Sequence, residues 1–256
     1  MGKRGVVWNT PSITADGLKL FACAVMLIQT AGIAVVENGI IQIDQYTQEG
    51  LSAALAENSG LMVWAGIGSV MQLIGGMALP VFAFLLVEGF RNTSNIRRYV
   101  ASVLIFALVS EIPYDLAVCG ELWSFSTQNA LVSMLICLLM LCCLHAVGTK
   151  KGIPAVLVKF CIVLGAVLWV TLLRAQYGLC LVLLTAVFDL FYARNVLKTV
   201  LGILISLMYV TGPLAFYGLW CYNGKRKNRI HKYVYYAFYP AHLFMLGLIA
   251  QLLKSL

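Results

Sequence analysis

Apolar runs long enough to cross a bilayer alternate with short polar connections along almost the whole chain. A crossing helix needs roughly 20 predominantly apolar residues. The first run, 17–36, meets that length, with Ser12 or Thr14 placed to cap it and Asp16 in its first turn. Residues 37–60 read as a polar connection carrying Glu37, Asp44, Glu49 and Glu57 and no basic residue, with a short interfacial helix over 50–57. The run 61–90 is too long for one upright span, and Gly75-Gly76 and Pro80 predict a break, kink or tilt within it. Further spans are expected at 99–117, 128–147, 153–173, 177–192, 196–220 (with Gly212-Pro213 inside it) and 233–253. The pattern predicts an all-α, polytopic helical membrane bundle of about eight transmembrane helices. The chain reads as one integral membrane domain over 1–256, because no polar stretch is long enough for a soluble one.

Composition agrees. The chain is 61% hydrophobic and 11% charged, which excludes a soluble globular domain and a disordered chain. Its net charge of +8 would suit a nucleic-acid partner if the basic residues shared a face. They lie instead in short loops between apolar runs, so the partner is a lipid bilayer, taken as the bacterial cytoplasmic membrane. An inside N-terminus and eight spans put twelve Lys and Arg inside, six outside, and seven of the ten acids outside. The cluster Lys225, Arg226, Lys227, Arg229 and Lys232 violates that orientation. Either its loop is outside, or a segment near 75–80 or at Gly212-Pro213 is re-entrant and the parity changes. The polar basic leader 1–11 precedes a first run without a convincing cleavage site, so that run reads as a retained helix. The eight cysteines lie mostly in apolar runs, with no Cys-x-x-Cys pair and no zinc spacing, so they read as small apolar fillers and no metal site is expected.

Candidate chemistry concentrates in 79–115, where Glu88, Arg91, Glu111 and Asp115 sit inside or against membrane-grade sequence. An ionisable group there costs roughly 2.5–3.5 kcal/mol and is kept for a partner or a function. Glu88 and Arg91 are three apart, so they pair or share a third partner. Elsewhere Gln29, Thr30, Gln72, Asn129, Gln176, Asp189 and His242 are polar at membrane depth. Plain readings exist beside these: Gln29, Gln72 and Asn129 bond a neighbouring helix, Asp189 pairs with Arg194, His242 is an interfacial or helix-packing histidine, and Tyr233, Tyr235, Tyr236 and Tyr239 form an aromatic belt.

Several of these residues fall in stretches that, in order along the chain, resemble the TraX family: 18–28 (LKLFACAVMLI), 79–91 (LPVFAFLLVEGFR), 106–115 (FALVSEIPYD), Gln128-Asn129, Tyr177-Gly178, 222–226 (YNGKR) and 232–243 (KYVYYAFYPAHL). The resemblance implies a helical membrane protein related to acyltransferases and linked to acetylation of pilin subunits in conjugation systems. The carry-over reaches Glu88, Arg91, Glu111, Asp115, Asn129, Tyr177 and His242. Family members usually carry an Asp-His pair where this chain has Gln29-Thr30, often an Asp where it has Gln176, and a Thr where it has Ser133. An Asp-His pair suits acyl transfer, because the carboxylate orients an imidazole that takes the proton from the attacking group. Gln and Thr do not replace it near neutral pH.

Two readings follow. In the first, the chain is an acyltransferase moving an acyl group, expected to be acetyl, from acetyl-CoA or another acyl-CoA to a peptide, pilin-like or membrane-associated acceptor. Glu88 and Arg91 bind the donor or shape the inner mouth, and Asn129, Gln29, Gln176 and Tyr177 belong to the same binding set. Glu111 and Asp115 line the cavity with catalytic roles, and His242, at about mid-span, becomes the base, aimed inward by Pro240 and oriented by Glu111 or Asp115. His145 sits at a helix end and His231 in a basic loop. In the second, the chain is a non-catalytic scaffold or partner subunit that kept the fold without the base. A transporter would want paired repeats or half-helices, and no internal repeat is visible.

Overall fold

The computed structural model describes residues 12–148, 152–225 and 232–255; the basic leader, the Lys150-Lys151 turn and the centre of the last basic loop, with His231, lie outside them. Helix α1, Ala15–Ala31, starts where the Thr14 hydroxyl accepts the Gly17 N–H, and continues without interruption as a π-helical segment, Gly32–Ile41. Glu37 is therefore inside a helix and not in the polar connection. The sequence reading stopped the helix at two polar residues, but both find partners on neighbouring helices. Asn38 donates to the carbonyls of Ala117 and Val118 at 3.0 and 2.9 Å, and Gln72 donates to Glu37 at 2.5 Å. A polar side chain satisfied across a helix interface does not end a span.

Helix α2, Gln48–Glu57, is the expected short helix. Helices α3, Ser59–Gly75, and α4, Ala78–Asn92, are the long run broken at Gly76-Met77. Together they cover 34 residues and run antiparallel to α1 and its π segment, α4 against α1 and α3 against both. Helix α5, Ile96–Tyr114, ends in a second π segment, Asp115–Cys119. Helices α6, Ala130–Val147, α7, Ile153–Leu172, and α8, Gly178–Leu190, follow. The main core lies among α4, α6 and α8, where Val81, Leu86, Val87, Leu138, Leu141, Val182 and Leu184 are almost fully enclosed. Helix α7 buries only Ala166 and Val170 and leaves Leu157, Phe160, Leu164 and Leu168 exposed, as an outer helix facing lipid does.

Helices α9, Asn195–Ser206, and α10, Ala215–Trp220, answer the parity question. Twelve residues of α helix reach about 18 Å, short of the roughly 30 Å hydrocarbon core. The chain then turns at 207–214. The Thr211 hydroxyl bonds the Leu73 carbonyl beside the α3–α4 break. Gly212 packs so closely on Ser206 that an added Cβ would fall 2.5 Å from the Ser206 carbonyl oxygen. The second arm returns: Trp220 Nε1 donates to Thr199 Oγ1 at 3.4 Å, and Asn223 N–H donates to the Ile13 carbonyl at 3.0 Å, at the start of α1. The segment is a re-entrant hairpin with both feet at the end where α1 begins. Helix α11, Lys232–Lys254, then crosses to the opposite end, where Lys254 pairs with Asp44 at 2.7 Å.

Six described helical stretches are long and apolar enough to span; α8 and the hairpin complete the apolar segments counted in the sequence. Helix α8 is short, about 20 Å, yet lies along α6 from a Ser133–Gln176 bond to a His145–Asp189 bond. With the hairpin returning, Lys225 and Lys232 join Lys19, Arg91, Arg97, Arg98, Arg194 and Lys198 at one end, and Arg174 and Lys254 lie at the other. The end where α1 begins is thus the inside.

On a Cys-free background, Lys225→Cys and Asn95→Cys should label from one side of the membrane, and Asp44→Cys and Ser255→Cys from the other. Labelling of position 225 from the Asp44 side would remove the hairpin.

Candidate functional site

Three helix faces converge at the inner end. Lys19, Cys23 and Met26 form a stripe on α1, at the spacing that aligns side chains along one helix face. Leu79, Phe82 and Leu86 face them from α4, and Tyr235, Tyr236 and Tyr239 from α11. Between them is an apolar chamber of about 190 Å³ whose deep wall includes Gln29 and Tyr177. It adjoins a polar vestibule of about 570 Å³ at the inner mouth, lined by Glu88, Asn92, Asn95 and Arg98. Lys19, Leu85, Tyr99 and Tyr236 belong to both walls. Lys19 holds Asp16 at 3.5 Å and lies 5.0 Å over the Tyr235 ring. Arg98 reaches the Tyr233 hydroxyl at 3.4 Å. The arrangement suits an amphiphile with an anionic head at the mouth and an apolar or thin arm inward.

The expected site residues do not form one cluster. Gln29 and Tyr177 line the chamber and Glu88 the vestibule. Arg91 points the other way: its guanidinium donates to the Asp189 carboxylate at 2.7 Å and to the Asp189 carbonyl at 3.0 Å, and stacks 4.0 Å from the Tyr192 ring. His145 Nε2 lies 3.1 Å from the same carboxylate. Asp189 thus pairs with Arg91 and His145, where Arg194 was expected. Phe191 and Tyr192 end α8 in a turn, and Asp189, on its last helical turn, faces α4 and α6. Glu88 and Arg91 share a third partner in Tyr192, whose hydroxyl donates to Glu88 at 2.9 Å. That bond, with burial, raises the Tyr192 phenol above its ordinary value.

Glu111, Asp115 and Asn129 sit nearer the outer end. The Asn129 amide donates to Glu111 and to the Ala107 carbonyl, while its oxygen caps the Leu131 N–H at 2.9 Å. Asp115 accepts the Ser124 N–H at 2.9 Å. Asn129 and Glu111 fasten α5 to the start of α6, and Asp115 holds the loop between them. Gln176 offers its carbonyl to Ser133 and its amide to the Tyr177 hydroxyl at 3.2 Å. Tyr177 itself is in the left-handed region at φ 58°, a conformation uncommon outside glycine.

His242 is buried on α11, and Pro240 lies inside that helix, which begins well before it. The hydrogen-bond contacts of its ring go to Phe238 and Thr30, where Glu111 or Asp115 was expected to orient it. Nδ1 is 2.8 Å from the Phe238 carbonyl, and Nε2 is 3.5 Å from the Thr30 hydroxyl. A carbonyl only accepts, so Nδ1 carries a hydrogen, while Nε2 faces a Thr30 hydroxyl whose single hydrogen is also within reach of the Met26 carbonyl at 3.0 Å. The ring is not part of the chamber wall, but its partner Thr30 adjoins Gln29, which is.

Sequence reasoning overlooked Lys19, Arg98, Tyr99, Tyr236 and Tyr239 as wall residues. Lys19 within an apolar run, with Cys23 and Met26 on its face, was the available signal. Among the described residues no group of three or more His, Cys, Asp or Glu could hold a metal ion. All eight cysteines are free; Cys137 and Cys180 are buried, whereas Cys143 and Cys161 are exposed and do not act as core fillers.

A family described as TraX protein matches residues 14–250. A curated relative, "Probable fimbrial assembly protein FimC, serogroup H1" of Dichelobacter nodosus, is 24% identical over 205 residues, covering 69% of this chain and 81% of its own. No solved structure matches the chain.

Arg91→Gln and Asp189→Asn should each lower stability in mild detergent by about 2–3 kcal/mol, because one change leaves a partly buried charge poorly compensated. The double variant should fall by clearly less than their sum, as coupled partners do. Additive losses would mean that the pair contributes nothing as a pair.

Proposed function

Because the chain belongs to the TraX family, we propose that it is an integral membrane acyltransferase of pilus or fimbria assembly, in the bacterial cytoplasmic membrane, that takes an acyl-CoA from the inner end. The observation that carries this reading is the shared wall between the cationic vestibule and the apolar chamber. Arg98 and Lys19 suit the phosphates of a CoA head, and the start of α5 at Asn95–Ile96 adds backbone N–H groups. The chamber takes the pantetheine arm and acyl group, which brings the thioester toward Gln29. Transfer to an amine then forms one C–N bond and breaks one C–S bond, and the amine proton ends on the departing thiol. His242, whose Nε2 faces Thr30 next to Gln29, is the group assigned to take that proton first.

A second reading, a non-catalytic partner subunit, is favoured by Gln29-Thr30 where the resemblance implies an Asp-His pair and by the position of His242 outside the chamber wall.

Acyl-CoA binding to the full chain in nanodiscs, followed by thiol release when a peptide amine is added, tests the proposal. Saturable binding should weaken about tenfold in Arg98→Ala. It should tighten by about 0.8 kcal/mol per added CH₂ until the chamber is full. His242→Ala should leave binding intact and lower thiol release about 10²–10⁴-fold. Binding without release selects the second reading, and no binding of any acyl-CoA rejects both roles for the chamber.

A further inference from the structure

A second opening lies beyond Gln29. It is a groove of about 390 Å³ formed by Glu37 on the π segment, Ser69, Gln72 and Gly76 of α3 and its break, and Tyr209 at the hairpin tip. It sits toward the outer end, since Glu37 is on the last turns before Ile41 and the Asp44–Lys254 pair. Gln29 belongs to both this groove and the donor chamber. Its side chain fills the place where a Cβ on Gly75 would stand, so it acts as a thin partition between the two.

The groove wall carries a carboxylate and no Lys, Arg or His. Glu37 receives one neutral hydrogen bond, from Gln72, and forms no salt bridge among the described residues. A carboxylate kept at membrane depth without a cation is costly unless a cation visits it. The π segment is the kind of helical irregularity that recurs at functional sites. Here it offers Asn38 to α5 and Glu37 to the groove, two adjacent polar residues aimed at different partners.

We propose that this groove binds the ammonium group of a primary-amine acceptor on Glu37 and delivers it to Gln29, opposite the donor. The proposal rests on the acyl-transfer reading to an amine and adds the acceptor's docking residue and its side of approach. Glu37, Gln72 and Ser69 supply acceptors for an ammonium, while Leu73 and Val210 suit an apolar stem behind it. The ammonium sheds one proton to water before attack. The neutral amine then forms the C–N bond as the C–S bond breaks, and the thiol leaves through the chamber.

The test compares an apolar peptide bearing a free amine with its N-acetylated twin, binding to the full chain in nanodiscs, with acyl-CoA binding measured in parallel. The free-amine peptide should bind the unmodified chain at least about tenfold tighter than its twin. Glu37→Gln should abolish that preference, Glu37→Asp should restore part of it, and neither should alter acyl-CoA binding. Equal binding of the two peptides, or a preference that survives Glu37→Gln, overturns the proposal while acyl-CoA binding stands. Loss of acyl-CoA binding with the amine preference intact rejects the donor reading and leaves the cation site in place.

Discussion

Two long antiparallel helical stretches approach closely because three positions between them carry no side chain. An added Cβ on Gly32 would lie 2.9 Å from the Met71 Cβ, one on Gly68 would lie 3.2 Å from Val36, and one on Gly75 would overlap Gln29. Lipid tails are as apolar as the side chains they meet, so helix association in a membrane leans on such close van der Waals contact and on hydrogen bonds across it. The rest of the middle depends on this contact. It sets Gln29 between chamber and groove, brings Gln72 to Glu37, and fixes the α3–α4 break where the hairpin tip docks. The break is functional in a plain mechanical sense: Gly76 leaves room for Thr211 and Tyr209, and Tyr209 closes one side of the groove.

Charge organises the inner end in the same economical way. Asp189 accepts from Arg91 on α4 and meets His145 on α6, so one carboxylate ties together the three helices of the main core. Arg91 also covers Tyr192, which in turn holds Glu88 toward the vestibule. An ion pair near low dielectric contributes little beyond its desolvation cost, but losing one partner is expensive. Such a cluster therefore specifies which helices meet more than it adds to stability. At the outer end, Asn129 with Glu111 does the corresponding work between α5 and α6, and Asp115 with Ser124 holds the loop between them.

The helical bundle, the break in the long run and the short helix after the first span were legible because length and apolarity decide them. The re-entrant hairpin was legible as one of three alternatives, since the basic cluster at 225–232 fitted an outside loop, a re-entrant segment near 75–80 or one at Gly212-Pro213. It could not be chosen from the sequence, because 196–220 has the length of a span and only the Thr211–Leu73 and Asn223–Ile13 bonds reveal the turn back. Glu37 was misplaced for a related reason: a polar residue ends an apolar run in sequence whether or not Gln72 waits across the interface. The candidate residues were recognised by type, but their grouping was not, since partners such as Arg91 and Asp189 are 98 residues apart. Tyrosines 236 and 239 read as an aromatic belt, and become wall residues only once α11 is seen to face α1 and α4.

Gln29-Thr30, where the resemblance implies an Asp-His pair, is not chemically empty. Thr30 brings a hydroxyl to it, and α11 brings an imidazole against that hydroxyl from another part of the chain. The Phe238 carbonyl fixes the ring's tautomer by accepting from Nδ1, which is the part an orienting carboxylate plays in an Asp-His pair. A carbonyl is neutral, so it orients the ring without stabilising an imidazolium as a carboxylate would. The chamber and vestibule draw on α1, α4, α5, α6, α8 and α11, whereas the Thr30–His242 contact joins α1 and α11 alone.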